Sequence, residues 1–205
     1  MTCRVKICGI TNLEDALIAC RHGADALGFV FYEKSPRYID PQAANDIVAK
    51  LPPFVVPVAL FVNAEPSLIE RVISGSARWT IQFHGDETES ACLPYNRPYI
   101  KALRVREGED IAALGQAYSS ASAILLDAYK KGVPGGTGEL FDWQLIPKEL
   151  TFSVILAGGL TPQNVRAAVE QVAPYAVDVS GGVERSKGLK SESRIQEFII
   201  GAKCE

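Results

Sequence analysis

Residues 153–183 read SVILAGGLTPQNVRAAVEQVAPYAVDVSGGV. A short apolar run, Ser153–Ala157, is followed at once by Gly158-Gly159, and a second, Ala176–Val179, is followed by Ser180 and then Gly181-Gly182. An amphipathic stretch, Pro162–Ala173, separates the two runs. This order predicts two parallel strands joined by a helix, because a helical crossover returns the chain to the same end of a sheet. The segment is therefore predicted to be one βαβ unit with a glycine-rich turn after each strand.

The same alternation of strand and helix extends along the rest of the chain. The other predicted strands are Arg4–Cys8, Ala26–Phe31, Val55–Phe61, Thr80–Phe83, Tyr99–Ala102 and Ala123–Leu126. The other predicted helices are Asn12–His22, Pro41–Lys50, Pro66–Ser74, Thr88–Leu93, Glu109–Tyr118, Trp143–Leu150 and Ser191–Lys203. Three helices are expected to start at Pro41, Pro66 and Pro162, since proline is tolerated in the first helical turn.

Eight strand–helix units at a spacing of about 25 residues predict an α/β fold, a single (β/α)8 TIM barrel. An open, doubly wound sheet is the alternative. No G-x-G-x-x-G motif follows the first strand, and the glycine-rich turns follow strands seven and eight, where barrels commonly hold phosphate. We therefore expect one closed barrel domain over residues 1–205.

Composition narrows the range of partners. The formal net charge of -3 and a pI near 5.5 argue against nucleic-acid binding, which needs a positive field to neutralise phosphates. Five cysteines without a C-x-x-C pair, together with two histidines, suggest neither a zinc site nor a disulfide framework. We expect no nucleic-acid partner, no metal ion and no cofactor.

Hydropathy patterning bears on location. The N-terminal segment MTCRVKICGI has too short an apolar run for a signal peptide, and no later run approaches the ~20 apolar residues of a membrane helix. A cytoplasmic location without membrane contact is expected. The oligomeric state stays open between monomer and homodimer.

Two reactive side chains are expected at the carboxyl ends of strands, where the active sites of such barrels lie. Cys8 ends the first strand with the inward parity of Arg4 and Lys6. It is either a small buried hydrophobe, as most free cysteines are, or a thiolate base if its pKa falls below the usual ~8.5. Asp127 follows the sixth strand, and Asp142 already caps the nearest downstream helix, which favours a catalytic or ligand-binding Asp127 over a capping one.

Four glycines predict a phosphate site. Gly158 and Gly159 follow strand seven, and Gly181 and Gly182 follow strand eight. Glycines let the backbone approach a ligand closely and expose amide hydrogens, although ordinary strand-to-helix turns are the alternative. A further glycine-rich loop at 128–140 is either a mobile flap or a flexible connection.

Two more residues are candidates for the pocket wall. Arg37 lies on the loop after strand two, where it is either a solvated arginine or, if the substrate carries an acid, a fork for a carboxylate. His84 follows strand four with the inward parity of Gln82, and both a pocket-lining and a structural role fit it.

Lys6 and Asp178 are both expected to point inward, on strands that become neighbours when the barrel closes. Because a buried charge needs a partner, we expect an ion pair beneath the site. We further expect this pair to favour the thiolate form of Cys8.

The stretch Lys6-Ile7-Cys8-Gly9-Ile10-Thr11 closely resembles the opening of phosphoribosylanthranilate isomerases, and other blocks of that family occur in the same order over nearly the whole chain. They include Gly28-Phe29-Val30-Phe31-Tyr32, Ser35-Pro36-Arg37-Tyr38-Ile39, Gln82-Phe83-His84-Gly85, Leu125-Leu126-Asp127, Gly135-Gly136-Thr137-Gly138, Phe141-Asp142-Trp143, Ala157-Gly158-Gly159-Leu160, Asn164-Val165 and the run from Val177 to Glu184. Some relatives carry a serine where this chain has Gly181.

The resemblance implies an Amadori rearrangement in tryptophan biosynthesis, in which N-(5-phosphoribosyl)anthranilate, a phosphorylated aminosugar, becomes 1-(2-carboxyphenylamino)-1-deoxyribulose 5-phosphate. It implies that Asp127 is the general acid at the ribose ring oxygen and that Cys8 is the base at C2. It also implies that Arg37 binds the anthranilate carboxylate, that the glycine turns bind phosphate, and that no cofactor takes part.

Two other functions remain as rivals. One is another phosphosugar barrel such as an epimerase, which would bring metal ligands or paired carboxylates to the mouth. The other is a binding or regulatory barrel that holds a phosphometabolite without turning it over. The analogous histidine-pathway substrate is a further alternative, although an arginine suited to a carboxylate favours the anthranilate compound.

Overall fold

A computed structural model describes residues 3–106, 108–128 and 142–203, and in it eight parallel strands form a closed barrel. The strands are β1 Arg4–Cys8, β2 Ala26–Val30, β3 Val56–Phe61, β4 Thr80–Phe83, β5 Tyr99–Val105, β6 Ala123–Ala128, β7 Val154–Leu156 and β8 Ala176–Val179. The last strand pairs with the first, Lys6 lying opposite Asp178. The predicted TIM barrel is therefore confirmed, and the open sheet is excluded.

Helices follow most of the strands and cover the outside of the barrel. They are α1 Leu13–Arg21, α2 Pro41–Val48, α3 Pro66–Ile73, α4 Glu89–Cys92, α5 Ile111–Gln116, α6 Val165–Val172 and α7 Glu192–Lys203. A two-stranded antiparallel hairpin, β9 Glu184–Ser186 and β10 Leu189–Lys190, stands between β8 and α7. This hairpin was not predicted.

Side chains alternate along each strand between two apolar layers. The barrel interior holds smaller residues such as Val58, Ala102 and Ala176. The layer between barrel and helices holds larger ones such as Phe29 and Trp79, whose rings meet edge to face at 5.4 Å. Burial of both layers fixes which side chains point into the barrel, and so which of them reach its mouth.

Arg4 departs from the predicted inward set. Its side chain is exposed, and its guanidinium stacks over the ring of Tyr175 at 4.6 Å from the centroid. As the first residue of β1, Arg4 lies at the rim opposite the site, where a long charged side chain can reach water.

The predicted helix Trp143–Leu150 is wrong. Only a single 3-10 turn, Trp143–Leu145, forms there, and Ile146 is already extended. Proline at position 147 explains the early end, because a residue before proline is driven out of helical conformation.

Two of the three predicted proline starts are confirmed. Pro41 and Pro66 each occupy the first turn of a helix. The third is wrong, since α6 begins at Val165, three residues after Pro162. The Asn164 side chain accepts a hydrogen bond from the Thr161 amide at 2.8 Å, which closes a local turn before the helix can start.

The predicted flap or connection at 128–140 lies, except for Ala128, outside the described residues. Within the described ranges, no helix has the length and apolar character that a bilayer crossing requires.

Candidate active site

A cavity of about 150 Å³ opens at the carboxyl end of the barrel strands. All eight residues that the sequence singled out as site residues line it: Cys8, Arg37, His84, Asp127, Gly158, Gly159, Gly181 and Gly182. These residues come from loops and strand ends spread over more than 170 positions of the chain, and barrel closure brings them together.

Cys8 reaches the cavity because its neighbour on β2 has no side chain. Gly28 pairs with Cys8 in the sheet, and a Cβ placed on Gly28 would lie 2.7 Å from the Cys8 sulfur. The same Cβ would lie 3.1 Å from the Lys6 ammonium. Sequence analysis did not assign Gly28 this role, because the close approach exists only across two paired strands.

The predicted ion pair beneath Cys8 is confirmed, with 2.8 Å between Lys6 Nζ and Asp178 Oδ1. The pair acts on Cys8 in the expected direction, because Lys6 lowers the pKa of the thiol more than Asp178 raises it. Burial outweighs this effect, so the pKa of the Cys8 thiol is raised overall.

Asp127 lies on the opposite wall, in a hydrogen-bonded row with two residues of the β4 end. His84 Nε2 is 3.2 Å from Asp127 Oδ2, and Gln82 Nε2 is 2.9 Å from His84 Nδ1. His84 thus lies between Gln82 and Asp127 and contacts each through one ring nitrogen. The row thus fixes the orientation of the carboxyl group.

Arg104 is a further neighbour of Asp127 that sequence analysis missed. It lies directly opposite Asp127 in the β5–β6 pairing, and its guanidinium donates to the His84 carbonyl at 3.2 Å. The predicted strand stopped at Ala102, whereas β5 continues to Val105. Ending the strand early left Arg104 out of the set that faces the mouth.

The two glycine turns lie side by side. Gly158 and Gly159 have φ of 79° and 66°, a left-handed conformation that side chains other than glycine rarely adopt. A Cβ on Gly182 would collide with the Leu160 carbonyl oxygen, so glycine is needed for the turns to touch. Ser180 Oγ is buried beside them without a hydrogen-bond partner among the described residues.

Arg37 is held by a residue to which sequence analysis gave no role. Its Nε and Nη2 donate to the two carboxylate oxygens of Glu184 at 2.7 and 2.8 Å. These hydrogen bonds raise the pKa of the guanidinium further, so Arg37 stays charged. Burial acts to raise the pKa of Glu184, but Arg37 and Lys190 outweigh it and keep that pKa below its usual value.

One wall of the cavity is apolar. Cys8, Val30 and Leu60 form a small buried cluster, against which Tyr32 and Val62 pack. All five residues line the cavity. Such a surface suits a flat hydrophobic group beside the sulfur.

Metal ligands are not gathered at this mouth. Over the ranges 3–106, 108–128 and 142–203, no three His, Cys, Asp or Glu side chains are grouped so that they could hold a metal ion.

Close relatives share the chain over its full length. The N-(5'-phosphoribosyl)anthranilate isomerase of Marinomonas sp. (strain MWYL1) is 72% identical over 204 residues, which cover 100% of both chains. The protein of the same name from Pseudomonas fluorescens (strain SBW25) is 60% identical and covers 96% of this chain and 93% of its own.

Solved structures of phosphoribosyl anthranilate isomerases are also similar to this chain. Phosphoribosyl anthranilate isomerase from Thermotoga maritima superposes with a TM-score of 0.91 at 44% identity, covering 99% of this chain and all of its own. A structure of such an isomerase in complex with reduced 1-(o-carboxyphenylamino)-1-deoxyribulose 5-phosphate has a TM-score of 0.84 at 42% identity, with the same coverage. The family model described as N-(5'phosphoribosyl)anthranilate (PRA) isomerase matches residues 5–200. The chain therefore belongs to the phosphoribosylanthranilate isomerase family, the aldose–ketose isomerases of tryptophan biosynthesis.

Proposed function

We propose that the chain converts N-(5-phosphoribosyl)anthranilate into 1-(2-carboxyphenylamino)-1-deoxyribulose 5-phosphate in this cavity, with Asp127 as general acid and Cys8 as base. The observation that carries the proposal is the position of both groups in the wall of one cavity that also holds an arginine and two glycine turns. Acid, base and anchors for both ends of the substrate are thus within one site.

The phosphate binds at the glycine turns. Gly158 and Gly159 from one turn, and Gly181 and Gly182 from the other, line the same end of the cavity. Backbone amides in such turns donate to phosphate oxygens without the bulk of side chains. The Ser180 hydroxyl, which has no partner among the described residues, supplies a further donor.

The anthranilate group binds against the apolar wall of the cavity. Its ring packs on the apolar wall formed by Val30, Leu60 and Val62. Its carboxylate accepts hydrogen bonds from Arg37, whose planar fork matches a carboxylate. These two anchors set the ribose between Asp127 and Cys8.

Asp127 then starts the reaction. A proton passes from its carboxyl group to the ring oxygen of the furanose, the bond between that oxygen and C1 breaks, and the anilino nitrogen forms an iminium. His84, which lines the cavity and contacts Asp127, keeps the carboxyl group directed at the sugar and completes the substrate-binding wall.

Cys8 completes the reaction by removing the C2 proton, which the adjacent iminium acidifies. Burial raises the pKa of the Cys8 thiol, so its ionisation needs positive neighbours, of which Lys6 is one. The thiol proton leaves to solvent, the positive iminium favours the thiolate, and the thiolate then takes the C2 proton and becomes a thiol again. The resulting enolamine relaxes to the ketone, and these steps require no metal or organic cofactor.

Replacement of the two reactive groups tests the proposal. Turnover is followed by the loss of substrate fluorescence, and binding by titration with reduced 1-(o-carboxyphenylamino)-1-deoxyribulose 5-phosphate. We expect Cys8→Ala and Asp127→Asn each to lose at least about 100-fold in kcat while they still bind the reduced product. Full turnover in both variants would overturn the mechanism.

Cys92→Ala is the matched control for loss of a thiol, since Cys92 is buried outside the cavity. It should turn over at the wild-type rate. A wild-type protein that binds the reduced product but does not turn over the substrate would instead support a binding or regulatory barrel.

The cytoplasmic location and the choice between monomer and homodimer stay predictions. Phe54, which is 95% exposed just before β3, is an apolar side chain that a second copy could cover. Sedimentation equilibrium of the wild type measures the oligomeric state. A dimer built on the Phe54 face should dissociate in the Phe54→Ser variant.

A further inference from the structure

Glu184 contacts Arg37 but is not itself one of the residues that line the cavity. It is the first residue of the β9–β10 hairpin, and its side chain is 5% exposed. Its carboxylate accepts hydrogen bonds from Nε and Nη2 of the guanidinium. A guanidinium has five N–H donors, so three remain after this bidentate contact. They lie on Nη1 and Nη2, which form the end-on edge suited to a second carboxylate.

Lys190, on the other strand of the hairpin, holds Glu184 in turn. Its fully buried ammonium lies 3.1 Å from Glu184 Oε1. It also donates to the carbonyl of Cys8 at 2.6 Å and to that of Ser180 at 3.2 Å. One side chain thus ties the hairpin to the strand end that carries the sulfur and to the turn that precedes Gly181.

We propose that Glu184, backed by Lys190, is a positioning residue that orients Arg37 for the carboxylate of the substrate. The proposal rests on the proposed function, in which Arg37 binds that carboxylate. Glu184 itself does not touch the ligand. Its action is through the fork of Arg37 alone.

The position of Arg37 supports this role. A Cβ on Gly181 would lie 3.2 Å from Arg37 Nη2, so the guanidinium stands next to the Gly181 turn, and Arg37 lines the cavity. An arginine left to itself on a loop loses rotamer entropy when it binds a ligand. Glu184 fixes the Arg37 side chain before the ligand binds, so that ligand binding no longer costs this rotamer entropy.

If Glu184 acted only through its charge, its removal would change the affinity for the ligand in the opposite direction. Arg37, Glu184 and Lys190 together carry one net positive charge, and removal of the Glu184 charge would leave two. If the only effect of Glu184 were to neutralise cations, its loss would strengthen anion binding. The direction of the change in affinity therefore separates positioning from neutralisation.

Two ligands that differ only in the carboxylate provide the test. One is reduced 1-(o-carboxyphenylamino)-1-deoxyribulose 5-phosphate, and the other is the matching compound with hydrogen in place of the carboxylate. Calorimetry gives the affinity of each for the wild type, Glu184→Gln, Arg37→Ala and the double variant. We expect Glu184→Gln to weaken the carboxylated ligand about 10-fold and the other ligand less than about 2-fold.

The double variant shows whether Glu184 acts through Arg37. In the Arg37→Ala background, Glu184→Gln should change the affinity of either ligand by less than about 2-fold. Tighter binding of the carboxylated ligand by Glu184→Gln, or an equal loss for both ligands, would overturn the proposal. If Arg37→Ala itself weakens both ligands equally, the proposed role of Arg37 fails instead.

Glu87→Gln is the matched control, because it too neutralises a glutamate that is paired with a buried lysine, Lys101, at 2.8 Å. It should leave the ratio of the two affinities unchanged. If Glu184→Gln does not fold, as judged by circular dichroism, Lys190→Met provides the second route. It should lower the affinity for the carboxylated ligand alone, by about 3-fold, and an unchanged ratio there would overturn the proposal.

Discussion

Lys6 and Asp178 meet across the seam at which the barrel closes, with 2.8 Å between the ammonium nitrogen and a carboxylate oxygen. Both side chains are buried, and the sulfur of Cys8 lies just above them. The last strand is thus joined to the first by charge as well as by backbone hydrogen bonds. The two charges also act on the pKa of the Cys8 thiol.

Removal of either partner should destabilise the fold. Lys6→Met leaves a buried carboxylate without its cation, and Asp178→Asn leaves a buried ammonium without its anion, so each should cost about 3–5 kcal/mol of unfolding free energy. The double variant Lys6→Met/Asp178→Leu should lose less than the sum, because no lone charge remains. Urea unfolding followed by circular dichroism measures all three, and single variants within error of the wild type would contradict the prediction.

Gly28→Ala should impair catalysis without unfolding the chain. The new methyl group would lie 2.7 Å from the Cys8 sulfur and 3.1 Å from Lys6 Nζ, so the sulfur must move. A misplacement of about 1 Å can cost about 100-fold in rate, and we expect a fall in kcat of that order. Steady-state kinetics beside a thermal melt tests this, and a folded variant with wild-type kcat would show that the sulfur position is not critical.

Alkylation of Cys8 should depend steeply on pH. Because burial raises the pKa of this thiol above its ordinary value, the thiolate fraction should grow about tenfold per pH unit between pH 7 and pH 9. Iodoacetamide labelling, quantified by mass spectrometry of the Cys8 peptide, follows that fraction. A rate that is already level at neutral pH would mean that the ligand-free protein holds a thiolate.

His84→Ala should lower kcat more than it raises KM. The imidazole contacts Asp127 at 3.2 Å, and without it the acid loses a partner that fixes its orientation. A loss of about 10-fold in kcat is expected. If KM rises instead while kcat stays at the wild-type value, the contact of His84 with substrate matters more than its contact with Asp127.

Two adjacent glycines should respond differently to substitution. Gly182→Ala would drive a methyl group into the Leu160 carbonyl and should cost at least about 2 kcal/mol of stability, with loss of phosphate binding. Gly181→Ser meets only Arg37 Nη2, at 3.2 Å from the new Cβ, and should stay within about 0.5 kcal/mol of the wild type. Thermal melts and titration with inorganic phosphate compare the two, and equal effects would show that contact between the turns is unimportant.

Local patterns were enough to predict most of the barrel. β1, β4 and β8 begin and end at the predicted residues, since a short β-branched run bounded by turn residues has few other solutions. Prediction failed where a distant contact or a single proline decides the conformation. After β6, Pro147 limits the helix to the 3-10 turn Trp143–Leu145. The hairpin at 184–190 is held by Lys190, whose buried ammonium donates to carbonyls of other segments.

Among the site residues, too, those placed by local sequence were predicted and those that depend on distant contacts were not. Cys8, Asp127 and the four glycines lie at strand ends, and their place in the chain alone indicated the mouth of the barrel. Glu184 and Gly28 could not be assigned in this way, because each acts through a residue far away in sequence. Arg104 was missed because the predicted fifth strand ended at Ala102, two residues before it.

By itself, the order of apolar runs, glycines and prolines determined the eight strands, their parallel direction and the end of the barrel at which the cavity lies. Only the tertiary structure decided which side chains meet: that Lys6 pairs with Asp178, that burial raises the pKa of Cys8, and that Glu184 binds Arg37. The physical reason is that strand formation depends on neighbours along the chain, whereas ion pairing and desolvation depend on distances of a few ångströms in space, which the folded barrel alone sets.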